Sequence, residues 1–290
     1  MTSKGSEGAA QYGVIGNPIA HSRSPQIHQA FGAQTRRELT YERILSEPDL
    51  FESAVKRFAA GGGKGLNVTV PFKEQAVALA EQVSERARIA GAANTLSLTP
   101  NGIKADNTDG IGLVHDISER CRLSLSGAHV VLVGAGGAAR GVLQPMLTAG
   151  VQSLFIINRT LSRAAQLIEL AGDLPIATGR RLQALSFEEA DTIIPAIASA
   201  PLLVINATAA SLSGQRLPLP DDLLANARLS YDMVYSDQPT PFMSQAQEAG
   251  CGQVIDGLGM LIQQAAESFA IWHGVRPETE SVYRLLRPAS

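Results

Sequence analysis

The chain is short of several things, and each shortage excludes a class of protein. It has two cysteines, Cys121 and Cys251, with no metal spacing and no possible framework of bridges, so a reducing compartment is the default. Its five histidines fit no zinc pattern, and no metal site is expected. No basic tract is present and the net charge is −3, which argues against nucleic acid as the main partner. No apolar run approaches a membrane span, and the opening MTSKGSEGAAQ has no apolar signal core. These readings predict a cytoplasmic protein with no membrane partner. Internal repeats and low-complexity stretches are also missing. What remains is a composition 45% hydrophobic and 18% charged, ordinary for an enzyme and long enough at 290 residues for two domains.

The stretch that organises the chain is HVVLVGAGGAARG, His129 to Gly141. His129 to Val133 is a β-branched run that reads as a buried strand. Gly134 and Gly136 then fall at the first two glycines of the dinucleotide fingerprint, and Ala139 at the third, where alanine is allowed. A tight turn needs φ > 0, and a side chain there would keep a pyrophosphate from the amides of the helix N-terminus. A helical segment and a second strand, SLFIIN from Ser153 to Asn158, complete a βαβ unit. An NAD site has an acidic residue at the end of that strand; this chain has Asn158-Arg159-Thr160 and then Arg163. Two guanidiniums and a hydroxyl suit a 2′-phosphate, which points to NADP(H). Thr160 as a helix cap and the arginines as a solvated face is the structural alternative, and both can hold.

The remaining stretches read in order. The first ten or so residues are expected to be disordered. Tyr12 to Ile15 is a strand leading into the loop Gly16 to Pro25, with Ser24 as helix N-cap and Pro25 in the first turn. Ser22 and Ser24 offer a carboxylate seat, or capping alone, and His21 and His28 orient the loop. Tyr41 to Leu45 is a strand and Pro48 to Ala60 a helix. In Leu66 to Val70 the apolar residues alternate with Asn67 and Thr69. Pro71 opens a helix with Lys73 in its first turn, set against the macrodipole. That setting suits a proton shuttle, with a lysine bent back to solvent as the plain alternative. Ala76 to Ala90 reads as one helix, followed by the turn Gly91 to Asn94, a strand, an Asn101-Gly102 hairpin turn and a return strand. Ile111 to Cys121 is helical, so Asp109 is either a cap or the carboxylate partner of Lys73. After the βαβ unit come a short strand near Leu182 to Leu185 and a helix at Phe187 to Ile193. Strands follow at Pro201 to Asn206, Ser230 to Val234 and Gln253 to Ile255. Helices from Thr240-Pro241, from Met260 to His273 and from Pro277 to Leu286 complete the chain.

Together, GNPIAHSRSPQIH, NVTVPFK, GAANT, DNTDG, GAGGAARG, NRT, INAT, YDMVY, TPF and DGLGMLIQQAAESFAIWHG resemble the shikimate dehydrogenase family, in its order and spacing, from about Gly13 to about Pro277. The resemblance implies two α/β domains with a cleft between them, the second a Rossmann-type doubly wound parallel sheet. It divides the chain into a substrate-binding, catalytic domain, residues 1–109 and 258–290, and an NADP-binding domain, residues 110–257. It implies reversible NADPH-dependent reduction of 3-dehydroshikimate to shikimate, with Lys73 and Asp109 as the catalytic pair. Ser22 and Ser24 match hydroxyls that hold the substrate carboxylate. Asn67, Thr69, Asn94, Tyr235 and Gln264 match the other substrate contacts. Gly134, Ala135, Gly136, Gly137, Ala138, Asn158, Arg159, Thr160, Arg163, Met233 and Gly257 match cofactor positions. Glu85, Thr208 and Met260 match positions near the cofactor or cleft. Gln29, Ala105 and Ala209 depart from the family's commoner Asn, Gly and Ser, and none removes a catalytic group. The rival readings are a dual-specificity quinate/shikimate dehydrogenase using NAD or NADP, which the strand-end arginines disfavour, and a non-catalytic ligand sensor on the same fold. A monomer or a homodimer is expected.

Overall fold

The computed structural model describes residues 9–197 and 200–287. The chain divides into two units, one running to Thr108 and resuming at Ile262, the other spanning Asp109 to Leu261. Each is built on a six-stranded sheet.

The first unit holds, in order, β1 (Ala10–Gly16), α1 (Ser24–Thr35), β2 (Leu39–Leu45), α2 (Phe51–Ala60), β3 (Gly63–Val68), α3 (Lys73–Leu79), β4 (Gln82–Val83), α4 (Glu85–Ala90), β5 (Thr95–Thr99) and β6 (Gly102–Asp106). Its sheet order is β2-β1-β3-β5-β6-β4. β1 pairs in parallel with β2 and β3, while β5 is antiparallel to both β3 and β6. Side chains alternate across β1: Tyr12 and Val14 pack in one apolar cluster with Tyr41, and Ile15 packs in another with Leu66, Val68 and Phe72. Both faces of β3 are covered, so Asn67 is buried along with its apolar neighbours.

The second unit holds α5 (Asp109–His115), β7 (His129–Val133), α6 (Gly137–Thr148), β8 (Ser153–Ile157), α7 (Leu161–Gly172), β9 (Arg181–Leu185), β10 (Leu202–Asn206), α8 (Asp221–Ala225), β11 (Leu229–Asp232), α9 (Pro241–Glu248) and β12 (Val254–Ile255). Every strand pairing is parallel, in the order β12-β11-β10-β7-β8-β9. Numbered within the unit this is 3-2-1-4-5-6, the doubly wound order whose switch point lies between β7 and β10. A parallel sheet is covered on both faces, and β7 shows it: Val130 and Leu132 enter one apolar cluster, Val131 and Val133 the other. α10 (Leu258–His273) begins in this unit and continues into the first, which ends with α11 (Glu280–Leu286). Among the described residues no helix is long and apolar enough to cross a membrane.

Several expected boundaries differ. The helix expected over Ala76 to Ala90 is broken at Ala80. Gln82 and Val83 pair with Lys104 and Ala105 as a short parallel strand, and Ser84 caps a new helix by accepting from the Ala87 amide at 3.2 Å. Tertiary pairing overrides a run of good helix formers here. The apolar alternation expected to Val70 ends at Val68, and Val70 is exposed. α1 begins at Ser24, one residue early, so Ser24 is the first helical residue and not the cap. The helix expected at Phe187 to Ile193 is a 3-10 segment over Ala190–Ala196, and the last helix starts at Glu280, not Pro277. Of the residues expected to be disordered, 1–8 lie outside the described residues, and β1 begins at Ala10.

Candidate active site

In the first unit the candidates gather at the ends of β1, β3 and β5. The loop after β1 lies against β3: the Asn17 amide donates to the Val70 carbonyl at 3.0 Å and the Thr69 amide to that of Ile15 at 3.0 Å. Gly16 is a close-approach position, since a Cβ there would lie 2.4 Å from Thr69 Cγ2. Ser22 Oγ donates to Ser24 Oγ at 3.2 Å and accepts from the Ser24 amide at 3.3 Å. The Arg43 guanidinium fixes this loop with two bonds to the Ser22 carbonyl, at 2.9 and 2.7 Å. The two hydroxyls therefore sit side by side, and neither caps α1.

Asn67 and Asn94 belong to one buried polar network. Asn67 Oδ1 accepts from the Tyr41 hydroxyl at 2.7 Å, while its Nδ2 donates to the Asn94 carbonyl at 3.1 Å and to Ser268 Oγ at 3.0 Å. Asn94 Nδ2 donates to Thr108 Oγ1 at 2.8 Å and to Gln264 Oε1 at 3.0 Å. Asn94 Oδ1 accepts from Thr95 Oγ1 and from the Thr108 amide, both at 2.9 Å. Buried amides need this degree of pairing, and paired they hold one geometry. Lys73, the first residue of α3, is tied to the turn before Asn94 through its carbonyl, which accepts from the Ala93 amide at 2.8 Å. Beneath lies an aromatic layer in which His28 stacks on Tyr41, with ring centroids 4.3 Å apart and planes at 9°. His28 is thus packed in the core. Burial pushes it down to about 3, with the Asn67 hydrogen bond opposing, and pushes the Tyr41 phenol well above its usual value.

In the second unit the candidates gather at the switch point. Gly134 has φ +108°, and a Cβ there would lie 2.9 Å from Thr208 Cγ2. The turn and the residues after β10 are laced together, with the Ala207 amide on the Val133 carbonyl at 2.8 Å. Gly136 and Gly137 differ: both are exposed, and a Cβ on either would meet nothing within 4 Å. The protein's own packing does not require glycine there, whereas a pyrophosphate approaching the α6 amides does. Ala135 is half-buried and Ala138 exposed beside them, while Ala139 is fully buried under the helix. At the end of β8, Asn158 Nδ2 donates to the Thr160 carbonyl at 2.9 Å. Thr160 occupies the cap position of α7 without making the side-chain bond. Arg159 and Arg163 are exposed, and neither is paired with a carboxylate among the described residues. The residues present therefore fit a dinucleotide with a 2′-phosphate.

Two buried carboxylates, neither singled out by the sequence, shape the rest of this unit. Asp232 accepts from Asn206 Nδ2 at 3.1 Å, from Ser211 Oγ and Thr240 Oγ1 at 2.6 Å each, and from the Val234 amide at 3.0 Å. It ties the loop carrying Thr208 to the one carrying Met233 and Tyr235. Burial raises its carboxyl, and the hydroxyls partly offset this. Asp116, on the continuation of α5, pairs with Arg120 and accepts from the Tyr231 hydroxyl at 2.7 Å. That hydroxyl accepts in turn from the Met260 amide at 3.2 Å, satisfying one orphan donor of the α10 N-terminus. Gly257 and Gly259 are close-approach positions, where a Cβ would lie 2.2 Å from the Met233 carbonyl oxygen and 1.9 Å from Asp116 Oδ1. Met260 is buried in the core of this unit and Tyr235 is exposed.

The candidates thus divide. Ser22, Ser24, Asn67, Thr69, Lys73, Glu85, Asn94 and Gln264 lie in the first unit; Asp109, Tyr235 and the remaining cofactor candidates lie in the second. Glu85 is the exposed first residue of α4. Asp109 opens α5 directly after the fully buried Thr108. Sequence reading passed over Ser268, which lies four residues beyond Gln264 and so on the same helical face, and Thr95, whose signal was its place beside Asn94. Among the described residues no group of three or more His, Cys, Asp or Glu could hold a metal ion.

A doubly wound parallel sheet with an open glycine turn and two exposed strand-end arginines, on a chain that also carries a buried amide and hydroxyl network, defines a dinucleotide-binding protein. Residues 14–96 match the family model of the shikimate dehydrogenase substrate binding domain, residues 116–221 that of shikimate / quinate 5-dehydrogenase, and residues 257–287 that of the shikimate 5'-dehydrogenase C-terminal domain. A shikimate dehydrogenase (NADP(+)) of Bordetella petrii is 51% identical over 281 residues, covering 96% of this chain and 95% of its own. One of Alkalilimnicola ehrlichii is 48% identical over 278 residues, covering 96% and 98%. The crystal structure of a Thermus thermophilus shikimate 5-dehydrogenase in complex with NADP(H) and shikimate is 29% identical, with a TM-score of 0.81 over 96% of this chain and 98% of that one. The chain belongs to the shikimate dehydrogenase family.

Proposed function

We infer that this protein catalyses the reversible NADPH-dependent reduction of 3-dehydroshikimate to shikimate, a step toward chorismate and the aromatic amino acids. The observation that carries the reading is identity of about half, over nearly the whole length, to relatives named for that activity. Arg159 and Arg163 at the end of β8, without a carboxylate partner among the described residues, support the choice of NADP(H).

Residues 1–109 and 258–290 bind the substrate and residues 110–257 the cofactor. Ser22 and Ser24 hold the substrate carboxylate with their adjacent hydroxyls. Asn67, Thr69, Asn94, Tyr235 and Gln264 make the other substrate contacts. The α6 amides beside Gly134, Ala135, Gly136, Gly137 and Ala138 take the pyrophosphate. Asn158, Arg159, Thr160 and Arg163 take the 2′-phosphate, and Met233, Gly257, Thr208, Met260 and Glu85 complete the cofactor site. When bound, NADPH supplies the hydride for the ring ketone. Lys73 gives a proton to the alkoxide oxygen that develops, and Asp109 orients its ammonium. In the oxidative direction Lys73 takes that proton back. The protein acts in the cytoplasm as a monomer or homodimer.

The test mixes purified protein with 3-dehydroshikimate and NADPH and follows cofactor oxidation, with the product identified by chromatography against shikimate. Stoichiometric conversion to shikimate is expected. Binding of shikimate with no NADPH consumed would replace the enzyme by a ligand sensor on the same fold.

A further inference from the structure

We propose that Ser268 is a positioning residue for substrate recognition, through the Asn67 carboxamide it fixes and the turn of α10 that carries Gln264. The proposal rests on the reading that Asn67 and Gln264 contact the substrate. Ser268 is fully buried, so it touches no ligand itself. Its hydroxyl nevertheless meets four groups. It donates to the Gln264 carbonyl at 3.0 Å, accepts from Asn67 Nδ2 at 3.0 Å, and lies 2.7 Å from Thr95 Oγ1 and 3.2 Å from Thr108 Oγ1.

The arrangement does more than fill space. An asparagine amide rotated by half a turn exchanges a donor for an acceptor with almost no change of shape. Asn67 is held against that rotation from both ends: Tyr41 donates to Oδ1, and the Asn94 carbonyl and Ser268 both accept from Nδ2. Ser268 thereby shares with the Asn94 carbonyl in fixing which polar atom Asn67 offers to a ligand hydroxyl, and it takes the second hydrogen of Nδ2. The same oxygen joins α10, which carries Gln264 one turn earlier, to β3 through Asn67 and to β5 through Thr95. Recognition of a polyhydroxylated ring depends on hydrogen-bond placement, because a site built for a hydroxyl rejects an analogue whose hydroxyl is displaced.

The experiment is steady-state kinetics of the full chain with shikimate and NADP, for the wild type, Ser268→Ala, Asn67→Ala and the double variant. Ser268→Ala is expected to raise the KM for shikimate about tenfold, the scale of one lost hydrogen bond, with kcat changed less than about threefold and the KM for NADP unchanged. The double variant is expected to be impaired by clearly less than the product of the two single effects, because Ser268 acts in large part through Asn67. A thermal midpoint near the wild type separates this from general destabilisation. If Ser268→Ala fails to fold, Ser268→Cys takes its place: the thiol keeps nearly the same shape but is a poor hydrogen-bond partner, and it is expected to raise the same KM. An unchanged shikimate KM in a folded Ser268→Ala, with Asn67→Ala impaired, overturns the proposal and leaves the substrate site standing. An unchanged KM in Asn67→Ala overturns the substrate-site reading itself.

Discussion

At the scale of single residues, what matters is which groups have partners and of what kind. Lys73 was legible in the sequence because a cation in the first turn of a helix opposes the macrodipole, and α3 does begin there. Lys73→Ala is expected to lower kcat by about two to four orders of magnitude with little change in shikimate affinity, measured by single-turnover and steady-state rates. Loss of binding with normal turnover would make Lys73 a substrate ligand. The strand-end arginines were equally legible, since absence of an acid at a fixed place is visible in a string of letters. Arg159→Ala is expected to raise the KM for NADP and leave that for NAD nearly unchanged, because only the former carries the 2′-phosphate. Equal effects on both cofactors would place Arg159 on the pyrophosphate. Ser268, Asp116 and Asp232 were not legible. Ser268 meets Asn67 across 201 residues, Asp116 meets Tyr231 across 115 and Asp232 meets Ser211 across 21. No local pattern marks which buried carboxylate or hydroxyl a fold will use.

At the scale of elements, the glycines separate into two kinds that the sequence does not distinguish. Gly259 faces a carboxylate of its own unit, whereas Gly137 faces nothing within 4 Å. Gly259→Ala is therefore expected to destabilise the protein by about 2 kcal/mol or more, through a forced shift of Asp116 or of the first turn of α10. Gly137→Ala is expected to keep or slightly raise stability, since alanine is the better helix former, while weakening NADP binding by obstructing the α6 amides. Chemical denaturation and cofactor titration of both variants check the pair. Parallel strands were easy to place, because burial on both faces gives short β-branched runs such as His129 to Val133 and Leu202–Asn206. The break between α3 and α4 was hidden, because the two-residue β4 exists only through its pairing with β6. Local propensity favoured helix throughout that stretch.

For the whole molecule, the α/β class was legible from the buried runs, and the antiparallel hairpin of the mixed first sheet was legible from a single turn. That sheet depends on the antiparallel β5 and β6, announced only by Asn101-Gly102. Stability should carry an acid signature. Burial holds His28 at about 3 and His273 at about 4, both below the ordinary histidine value of 6.5. Above pH 6.5 neither state takes up these protons. As pH falls below 6.5 the unfolded chain binds them and the folded chain does not, so stability is lost progressively until the folded values are reached. For His28 the slope is about 1.4 kcal/mol per pH unit. Urea midpoints between pH 7 and pH 4 are expected to fall more steeply for the wild type than for His28→Phe, which keeps a ring against Tyr41 without titrating; parallel slopes would refute a neutral buried His28.

The most direct measurement is the initial rate with four pairings, shikimate or quinate, each with NADP or NAD. The expected result is a preference for shikimate with NADP of about a hundredfold or more over either NAD pairing, the scale of charge-assisted bonds to one phosphate, together with a marked preference over quinate with NADP. Comparable rates with NAD or with quinate would contradict that account and describe a dual-specificity dehydrogenase on the same fold.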